Sequence, residues 1–322
     1  MGRFDSKVAI VTGAGTGIGR AEAMLLAAEG ARVVVNDLGT STAGDGSDSR
    51  VADSVVAEIV AGGGIAVANH DDVGSWDGAR HMIQTAIDQF GGLDILINNA
   101  GVSRHAPLCD TSEADWNVVV DVNLKGTFAP IRHAVEFWRA QYQKSGQPVN
   151  AVIINTSSRG GLYGEANKSA YAATKMGVIG LTLALARELI DVGVRVNAVA
   201  PVARTRLWHA ANAKFNPTAV AAEESRRQGP PAELDRLAPE HAAAATVWLA
   251  TEEAATLNGQ VLVAEGGRVE LLQGWEVVSA QTTVRPWTLD SLTAVQADLL
   301  RGHNPDVGPL PPYRLGPAVA PS

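Results

Sequence analysis

A glycine-rich turn near the start of the chain constrains its fold more strongly than any other feature. An apolar, β-prone run at residues 7–11 leads into T-G-A-G-T-G-I-G at residues 12–19, and a helical pattern follows. The spacing is T-G-x-x-x-G-x-G and not G-x-G-x-x-G, but the physical need for glycine is the same. Glycine permits close backbone approach, and the amino end of the helix faces a bound pyrophosphate. The turn therefore predicts a dinucleotide site. Its expected contacts in this segment are Gly13, Thr16, Gly17, Ile18 and Gly19.

An acidic residue follows the second strand-like run and indicates which dinucleotide binds. Asp37 comes directly after residues 31–36, where a carboxylate accepts hydrogen bonds from the adenosine ribose and repels a 2′-phosphate. Ala14, Gly15 and Leu38 offer no positive charge to such a phosphate. The sequence predicts NAD in preference to NADP. The alternative for Asp37 is a solvated loop acid.

Alternating strand-like and helical segments indicate the fold class. The chain has 322 residues, of which 46% are hydrophobic, enough for one large α/β domain. We predict a doubly wound, Rossmann-like parallel sheet of about seven strands in a domain at residues 1–267, with a carboxyl-terminal extension at 268–322. The predicted strands lie within residues 8–11, 32–36, 65–68, 94–97, 152–155, 194–198 and 261–263.

A tyrosine, a lysine and a serine form a candidate proton-transfer group. Lys175 follows Tyr171 at the i+4 position, so on a helix both side chains lie on one face. A nearby ammonium lowers the pKa of a phenol from its usual value of about 10, which suits acid–base work between a ketone and an alcohol. Ser158 follows the apolar run 151–154, so its hydroxyl is expected at a strand's carboxyl end, beside the substrate oxygen.

Together these residues resemble the short-chain dehydrogenase/reductase family, over about residues 7–267. The glycine turn, the Asn-Asn-Ala-Gly segment at residues 98–101 and the residues Asn123, Ser158, Tyr171 and Lys175 stand in the order and spacing of that family. The resemblance implies a catalytic tetrad of these last four residues. It also implies that Asn123 kinks its helix and holds a water molecule linking the lysine to solvent.

The resemblance also implies further cofactor contacts. The segment containing Asn99, Ala100 and Gly101 closes the cofactor cleft. Asp72 and Val73 resemble the pair that contacts the adenine, with Asp71 as the alternative. The family usually has Pro-Gly after the sixth strand, whereas this chain has Pro201 and Val202. Thr205 is similar to the threonine that holds the nicotinamide carboxamide.

A narrower similarity concerns the hydroxyacyl-CoA dehydrogenase domain of peroxisomal multifunctional enzymes. The glycine- and serine-rich insertion at residues 40–50 and the segment at residues 157–164 fit that group, as does the tryptophan-containing stretch beyond Gly267. Bacterial relatives of that group include enzymes that act on steroids and on acyl-CoA thioesters of sterol side chains. Many members have histidine where this chain has Asn123.

Composition restricts the partners and the compartment. A formal net charge of −8 argues against nucleic acid, and charged residues interrupt every apolar run before it reaches membrane-spanning length. The single cysteine, Cys109, fits a reducing compartment. The histidines lack metal-ligand spacing, so no metal is assigned. We expect a cytoplasmic protein with a small-molecule substrate, assembled as a homodimer or homotetramer as the resemblance implies.

Two regions are expected to vary around this frame. Residues 204–231 lie where the fold usually keeps its substrate lid, and residues 103–105 could line the same opening. We expect residues 289–300 to form a short helix, followed by a proline-rich extended tail. Residues 271–300 are expected to pack across a subunit interface or over the active site. The lid candidates are Arg204, Arg206, Trp208, His209 and Phe215.

The favoured function is an NAD-dependent dehydrogenase of secondary alcohols. The substrate is a bulky apolar alcohol, either a 3-hydroxyacyl-CoA or a hydroxysteroid or terpenoid alcohol. A CoA ester needs cationic side chains near the cleft for its phosphates, whereas a sterol needs only an apolar slot. The alternative from another class is a nucleotide-sensing scaffold without chemistry. The candidate cations are Arg104, Arg159, Arg204 and Arg206.

Overall fold

An eight-stranded sheet lies at the centre of the protein. The computed structural model describes residues 2–215, 217–218, 220–221 and 235–300. The strands are β1 (Val8–Thr12), β2 (Arg32–Asn36), β3 (Ile65–Asn69), β4 (Ile95–Asn98), β5 (Ala151–Thr156), β6 (Val194–Val202), β7 (Val261–Glu265) and β8 (Arg268–Leu271).

The strand order is β3-β2-β1-β4-β5-β6-β7-β8, and the first seven strands in chain order are parallel. This confirms the predicted doubly wound α/β fold with seven parallel strands. The eighth strand was not predicted. It returns antiparallel along β7 after a tight turn at Gly266, whose φ of 53° favours glycine. The sheet thus continues a few residues beyond Gly267.

Helices cover both faces of the sheet. Within the described residues they include α1 (Gly17–Ala28), α2 (Arg50–Ala61), α3 (Trp76–Phe90), α4 (Glu113–Val120), α5 (Gly126–Ser145), α6 (Arg159–Tyr163), α7 (Ser169–Glu188), α8 (Arg206–Phe215), α9 (Pro239–Trp248) and α10 (Leu289–Leu299). Short 3₁₀ turns occur at Leu108–Asp110 and Ile190–Val192, and a π-helical turn at Asp121–Lys125 joins α4 to α5.

Alternate residues of the strands build two separate cores. Val11 and Val33 face α1, α2 and α9, whereas Ile10 and Val34 face α3, α5 and α7. A strand covered on both faces must be apolar on both, which explains the unbroken hydrophobic runs of the sequence. Trp138 is fully buried in the second core and donates its indole N–H to the carbonyl of Leu93 at 2.7 Å.

Strand order determines where a ligand can bind. The chain runs outward from β1 through β2 to β3 and then returns to place β4 on the other side of β1. Helices leave the sheet in opposite directions at this point, which opens a crevice at the carboxyl ends of β1 and β4.

Helix α7 serves the core as well as the crevice. By length and composition it is apolar enough to cross a membrane, with a mean hydropathy of 1.3 over its most apolar window. It packs against β5 and β6 and buries residues such as Val178 and Ile179. These two apolar side chains therefore have partners within the fold.

The predicted carboxyl-terminal helix is present as α10, which begins with a capping box between Thr288 and Ser291. None of its residues is buried. The predicted proline-rich tail, at residues 301–322, lies outside the described residues, as do most of residues 216–231 of the expected lid and the side chain of Phe215.

Candidate active site

One elongated cleft runs along the carboxyl ends of the parallel strands. Its volume is about 370 Å³. It brings together most of the residues that the sequence singled out. These are Gly13, Thr16, Gly17, Ile18, Asp37, Asp72, Val73, Asn99, Ala100, Gly101, Ser158, Tyr171, Lys175, Pro201, Val202 and Thr205.

The glycine turn forms one wall of the cleft because side chains would not fit there. Gly13 and Gly17 have φ values of 62° and 58°, which L-residues with side chains rarely adopt. A Cβ atom at Gly13 would lie 2.8 Å from the Cα of Ala100. Gly19 has a different role: it is not on the cleft wall, and a Cβ there would lie 2.4 Å from the carbonyl oxygen of Gly13. Gly19 allows the turn to pack on its own helix.

Asp37 lies at the cleft end of β2 and is 8% exposed. Its Oδ2 accepts the amide of Gly15 at 2.8 Å, and its Oδ1 accepts the amide of Gly39 at 2.7 Å. The carboxylate therefore fixes the glycine turn, a structural task that the sequence did not reveal. Each oxygen keeps a second lone pair, so the carboxylate can still accept hydrogen bonds from a ligand.

The Asn-Asn-Ala-Gly segment ties β4 to the glycine turn. The hydroxyl of Thr12 accepts the amides of Asn99 and Ala100, both at 3.0 Å. The side-chain amide of Asn99 donates to the carbonyls of Thr12 and Gly13 at 2.9 and 3.1 Å. The segment thus has the structural role that the resemblance implied, because it holds the two sides of the crevice at a fixed separation.

The residues after β3 form the far end of the cleft. Asp71, Asp72 and Val73 all line it, so the lining does not separate the two aspartates. The hydrogen bonds of the two aspartates, however, are different. Oδ2 of Asp71 accepts from Asn69 and lies 2.6 Å from Nδ1 of His81. Oδ1 of Asp72 accepts the amide of Gly74 at 2.8 Å.

Ser158 and Tyr171 meet at the other end of the cleft. Ser158 caps the short helix α6, where its hydroxyl accepts the amide of Gly160 at 3.1 Å. A hydrogen bond also joins it to Tyr171. A substrate oxygen placed beside both groups would meet a hydroxyl that can hold it and a phenol that can exchange a proton with it.

Lys175 lies one helical turn beyond Tyr171 and faces the same cleft. Its Nζ is 5.9 Å from the centre of the tyrosine ring and donates to the carbonyl of Thr156 at 2.7 Å. The backbone carbonyl of Lys175 accepts from the hydroxyl of Ser157 at 2.8 Å. The i+4 spacing therefore does place both side chains on one side of the helix.

The pKa of the tyrosine differs from the sequence-based expectation. Burial raises the pKa of Tyr171, the hydrogen bond from Ser158 acts against this, and the charge of Glu165 raises it further. Burial also lowers the pKa of Lys175 to about 8. The expected lowering of the phenol pKa is therefore wrong, because burial away from water is the largest influence on this group and raises its pKa.

Asn123 is at the centre of the π-helical turn and is completely buried behind the cleft. Its Oδ1 accepts the amide of Val102 at 2.8 Å, and its Nδ2 donates to the carbonyl of Val102 at 2.9 Å and to Thr174 at 3.4 Å. The π turn is the irregularity that the resemblance implied. The side chain itself fastens the segment after β4 to α7.

The strand end at β6 forms the wall opposite the glycine turn. Pro201 and Val202 line the cleft despite the departure from Pro-Gly. The methyl group of Thr205 would lie 3.4 Å from a Cβ at Gly17, so the two walls nearly meet there. The hydroxyl of Thr205 accepts the amide of Trp208 at 3.1 Å.

The candidate cations of the cleft bind partners in their own chain. Arg104 pairs with Asp45 and Asp115, and Arg159 lies 3.3 Å from Glu265. Arg204 pairs with Asp235, and Arg206 donates to the carbonyl of Thr40 at 3.4 Å. Arg159 and Arg206 line the cleft, whereas Arg104 and Arg204 do not.

Among the remaining candidates near the opening, some line the cleft and others do not. Ser103, His105 and Trp208 line the cleft, and Ser103 is hydrogen-bonded to His105. His209 stands edge-on against Trp208, with ring centres 5.1 Å apart, and does not line the cleft.

Other lining residues were not identified from the sequence. Lys168 and Glu165 form an ion pair at 2.5 Å between α6 and α7, and residues 40–44 contribute Thr40, Ser41 and Thr42. The insertion at residues 40–50, which contains Thr40, Ser41 and Thr42, is visible in the sequence. Nothing in its composition indicates that it lies against the cleft.

The residues present fit a nicotinamide dinucleotide. The backbone at Gly13 and Gly17 leaves space that side chains would fill, and the amino end of α1 adjoins it. Helix amino ends favour phosphate groups. Asp37 at one end and Tyr171 at the other match the two halves of an extended dinucleotide.

Comparisons with known proteins agree with this geometry. The family model of short chain dehydrogenases matches residues 7–215. The hydroxyacyl-CoA dehydrogenase ChsB1 of Mycobacterium tuberculosis is 38% identical over 307 residues, covering 94% of this chain and 91% of that protein. A crystal structure of a short chain dehydrogenase from Mycobacterium avium matches with a TM-score of 0.79 and 42% identity, over 94% of this chain and 98% of that chain.

A third relative is much longer. Peroxisomal multifunctional enzyme type 2 of Drosophila melanogaster is 47% identical over 205 residues, which cover 64% of this chain. The matched region is 33% of the fly enzyme. The matched part of this chain thus spans about a third of that enzyme's length. Sequence, fold and site agree that the chain belongs to the short-chain dehydrogenase family of oxidoreductases.

Proposed function

We propose that this protein is an NAD-dependent dehydrogenase that interconverts a secondary alcohol and a ketone, with Tyr171 as the acid–base group. The observation that carries this proposal is the single cleft in which Asp37 and the glycine turn lie at one end and Ser158, Tyr171 and Lys175 lie at the other. Family membership favours an oxidoreductase over the nucleotide-sensing scaffold.

The chain's own groups would perform proton transfer and orientation. When bound, the nicotinamide supplies the hydride acceptor for the alcohol carbon. Ser158 holds the substrate oxygen by a hydrogen bond, and the phenolate of Tyr171 removes its proton. Lys175 stabilises that phenolate through its positive charge, held in place by the carbonyl of Thr156. In the reverse direction the phenol returns the proton to the ketone oxygen.

The choice of NAD over NADP rests on Asp37. Its carboxylate is 8% exposed and is oriented by two backbone amides, so it cannot easily turn away from the ribose. A 2′-phosphate at this position would meet a fixed negative charge at short range, which is costly in a partly buried site.

For the substrate we favour a 3-hydroxyacyl-CoA. The name of one relative supports this choice, since ChsB1 is a hydroxyacyl-CoA dehydrogenase and matches over nearly the whole chain. A hydroxysteroid or terpenoid alcohol is the alternative. It is favoured by the pairing of Arg104, Arg159 and Arg204 with carboxylates, because a CoA phosphate would have to compete with those partners.

Absorbance of NADH tests this function directly. The wild-type protein should reduce NAD with at least one alcohol from a panel of 3-hydroxyacyl-CoA thioesters, hydroxysteroids and terpenoid alcohols. In Asp37→Asn the preference for NAD over NADP, measured as the ratio of kcat/KM, should fall at least ~10-fold as the repulsive charge is lost.

Asp53→Asn is the matched control, because Asp53 is an exposed acid that pairs with His70 away from the cleft. A protein that prefers NADP, or an Asp37→Asn variant with an unchanged ratio, would refute the cofactor assignment. The dehydrogenase assignment would be refuted if no alcohol of the panel were oxidised with NAD and no corresponding ketone were reduced with NADH.

A further inference from the structure

Residues 40–46, here called the bridging loop, cross over the glycine turn. The loop begins beyond the end of β2, and its Thr42 carbonyl accepts the amide of Ser103, beyond the end of β4, at 3.1 Å. Strand β1 lies between β2 and β4 in the sheet. Neighbouring strands are about 4.8 Å apart, so the loop covers roughly 10 Å across the carboxyl end of β1.

Arg104 fastens the loop on the β4 side. Its Nε donates to the carbonyl of Ala43 at 3.0 Å, and its two Nη atoms reach Asp45 and Asp115, each at 2.8 Å. The guanidinium therefore joins the loop to α4, in which Asp115 lies. Its side chain is 27% exposed, so water competes only in part for these bonds.

Two further contacts hold the loop at its ends. Gly44 packs so closely on α4 that a Cβ there would lie 3.0 Å from a methyl group of Val118. Its φ of 91° is in the region that favours glycine. At the other end Arg206, on α8, donates to the carbonyl of Thr40 at 3.4 Å.

The inner surface of the loop belongs to the cleft. Thr40, Ser41, Thr42 and Gly44 line it together with Asp37. The hydroxyl groups of Thr40 and Thr42 are suitable donors to phosphate oxygens. A dinucleotide whose pyrophosphate lies on the glycine turn would thus be covered by the loop.

We propose that the bridging loop is an additional wall of the cofactor site, and that Arg104 is the positioning residue that holds it over the cofactor's pyrophosphate. The proposal rests on the proposed function, since it requires a nicotinamide dinucleotide in the cleft. The cofactor can leave only when the loop lifts, and lifting breaks the bonds of Arg104 to Ala43 and Asp45. Arg104 therefore sets the rate at which NADH is released.

The test combines hydrogen–deuterium exchange with stopped-flow release of NADH from the full-length protein. NADH should slow exchange of the amides at residues 40–46 in the wild type. Arg104→Met should raise the NADH dissociation rate at least ~5-fold and reduce that protection. Asp45→Asn, at a residue whose side chain is 70% exposed, removes the same ion pair with little risk to folding and should act in the same direction.

Arg50→Met is the matched control, because Arg50 lies just beyond the loop, is 87% exposed and pairs with Asp48. Its NADH dissociation rate should equal that of the wild type. If NADH binds but leaves the loop amides unprotected, or if both Arg104→Met and Asp45→Asn release NADH at the wild-type rate, the inference is overturned and the proposed function stands. If the wild type does not bind NADH, both fall together.

Discussion

At the scale of single residues, the cleft holds a phenol and an ammonium whose pKa values burial moves in opposite directions. The phenol of Tyr171 becomes harder to deprotonate, and the pKa of Lys175 falls to about 8. A lysine with that pKa is still mostly charged at neutral pH. We therefore expect its charge, 5.9 Å from the ring centre, to offset part of the cost of forming a phenolate there.

Lys175→Met tests the role of that charge. At 5.9 Å from the ring centre, the ammonium is expected to stabilise the phenolate by roughly 1–3 kcal/mol. Without it the pKa of Tyr171 rises further, so less phenolate is present at any given pH. The ascending limb of kcat/KM against pH for alcohol oxidation should move to higher pH by roughly 1–2 units.

Lys144→Met, at an exposed lysine in the last turn of α5, should leave that profile unchanged. In the wild type, oxidation should accelerate with rising pH and level off above about 8, where Lys175 loses its charge. A Lys175→Met profile that overlays the wild-type profile would exclude an electrostatic role for this lysine.

Residue spacing predicted which residues form the site better than it predicted their pKa values and ion pairs. The i+4 interval of Tyr171 and Lys175 is a property of any helix, so it transfers from sequence to structure. The pairing of Arg104 with Asp45 joins residues far apart in the chain and depends on the path of a loop. Local spacing carries no information about such a contact.

At the scale of secondary-structure elements, α1 carries a buried acid that the proposed mechanism does not use. Glu22 is fully buried against α9, and neither carboxylate oxygen has a hydrogen bond of normal geometry within the described residues. Burial raises its pKa to about 8, although the nearby hydroxyl of Thr246 acts against the shift. That hydroxyl already donates to the carbonyl of Ala242 at 3.0 Å, so it is a poor donor for the carboxylate.

Glu22 should make stability depend on pH. The folded protein keeps the proton up to about pH 8, whereas the unfolded chain releases it above about 4.5. The contribution of Glu22 to the free energy of unfolding should therefore be greatest below about pH 4.5. It should fall by up to roughly 5 kcal/mol as the pH rises from about 4.5 to about 8. Glu22→Gln removes the titration, so its unfolding free energy should change less between about pH 5 and about pH 8.

Urea unfolding at these two pH values measures the difference. Glu188→Gln, at an exposed position at the end of α7, controls for the loss of one negative charge. An equal pH dependence in Glu22→Gln and the wild type would show that Glu22 does not retain its proton in the folded state.

Elements defined by periodicity and flanking turns were predictable, and irregular ones were not. The seven parallel strands and α10 follow from apolar runs bounded by turn residues. Strand β8 alternates exposed and partly buried residues over only four positions, too few for a pattern. The π turn around Asn123 came from the resemblance, because one extra residue in a helical turn leaves no signal in composition.

At the scale of the whole molecule, the segment after β8 exposes many large apolar side chains. Trp275 is 84% exposed, Val277 85% and Leu289 84%. Such a concentration of apolar surface usually marks an interface. We therefore propose that this segment packs against a second copy of the chain within a homodimer or homotetramer.

Truncation tests this assembly. The deletion should follow Gln273, because Leu272 still donates its amide to Val261 and completes the sheet edge. Removal of residues 274–322 should lower the molar mass measured by light scattering to that of a smaller assembly, because the proposed interface loses its apolar surface.

Removal of residues 301–322 alone is the matched control and should leave the number of subunits in the assembly unchanged. If the shorter chain ending at Gln273 keeps both the wild-type assembly and the wild-type kinetics, the segment contributes neither to an interface nor to the active site.

Proton transfer by Tyr171 beside a bound nicotinamide is the claim on which the proposed function depends. Tyr171→Phe removes one oxygen atom and leaves the packing of α7 largely intact. We expect NADH affinity, measured by fluorescence, to stay within about threefold of the wild type, while turnover falls at least ~100-fold. Turnover close to the wild-type rate in Tyr171→Phe would contradict the claim.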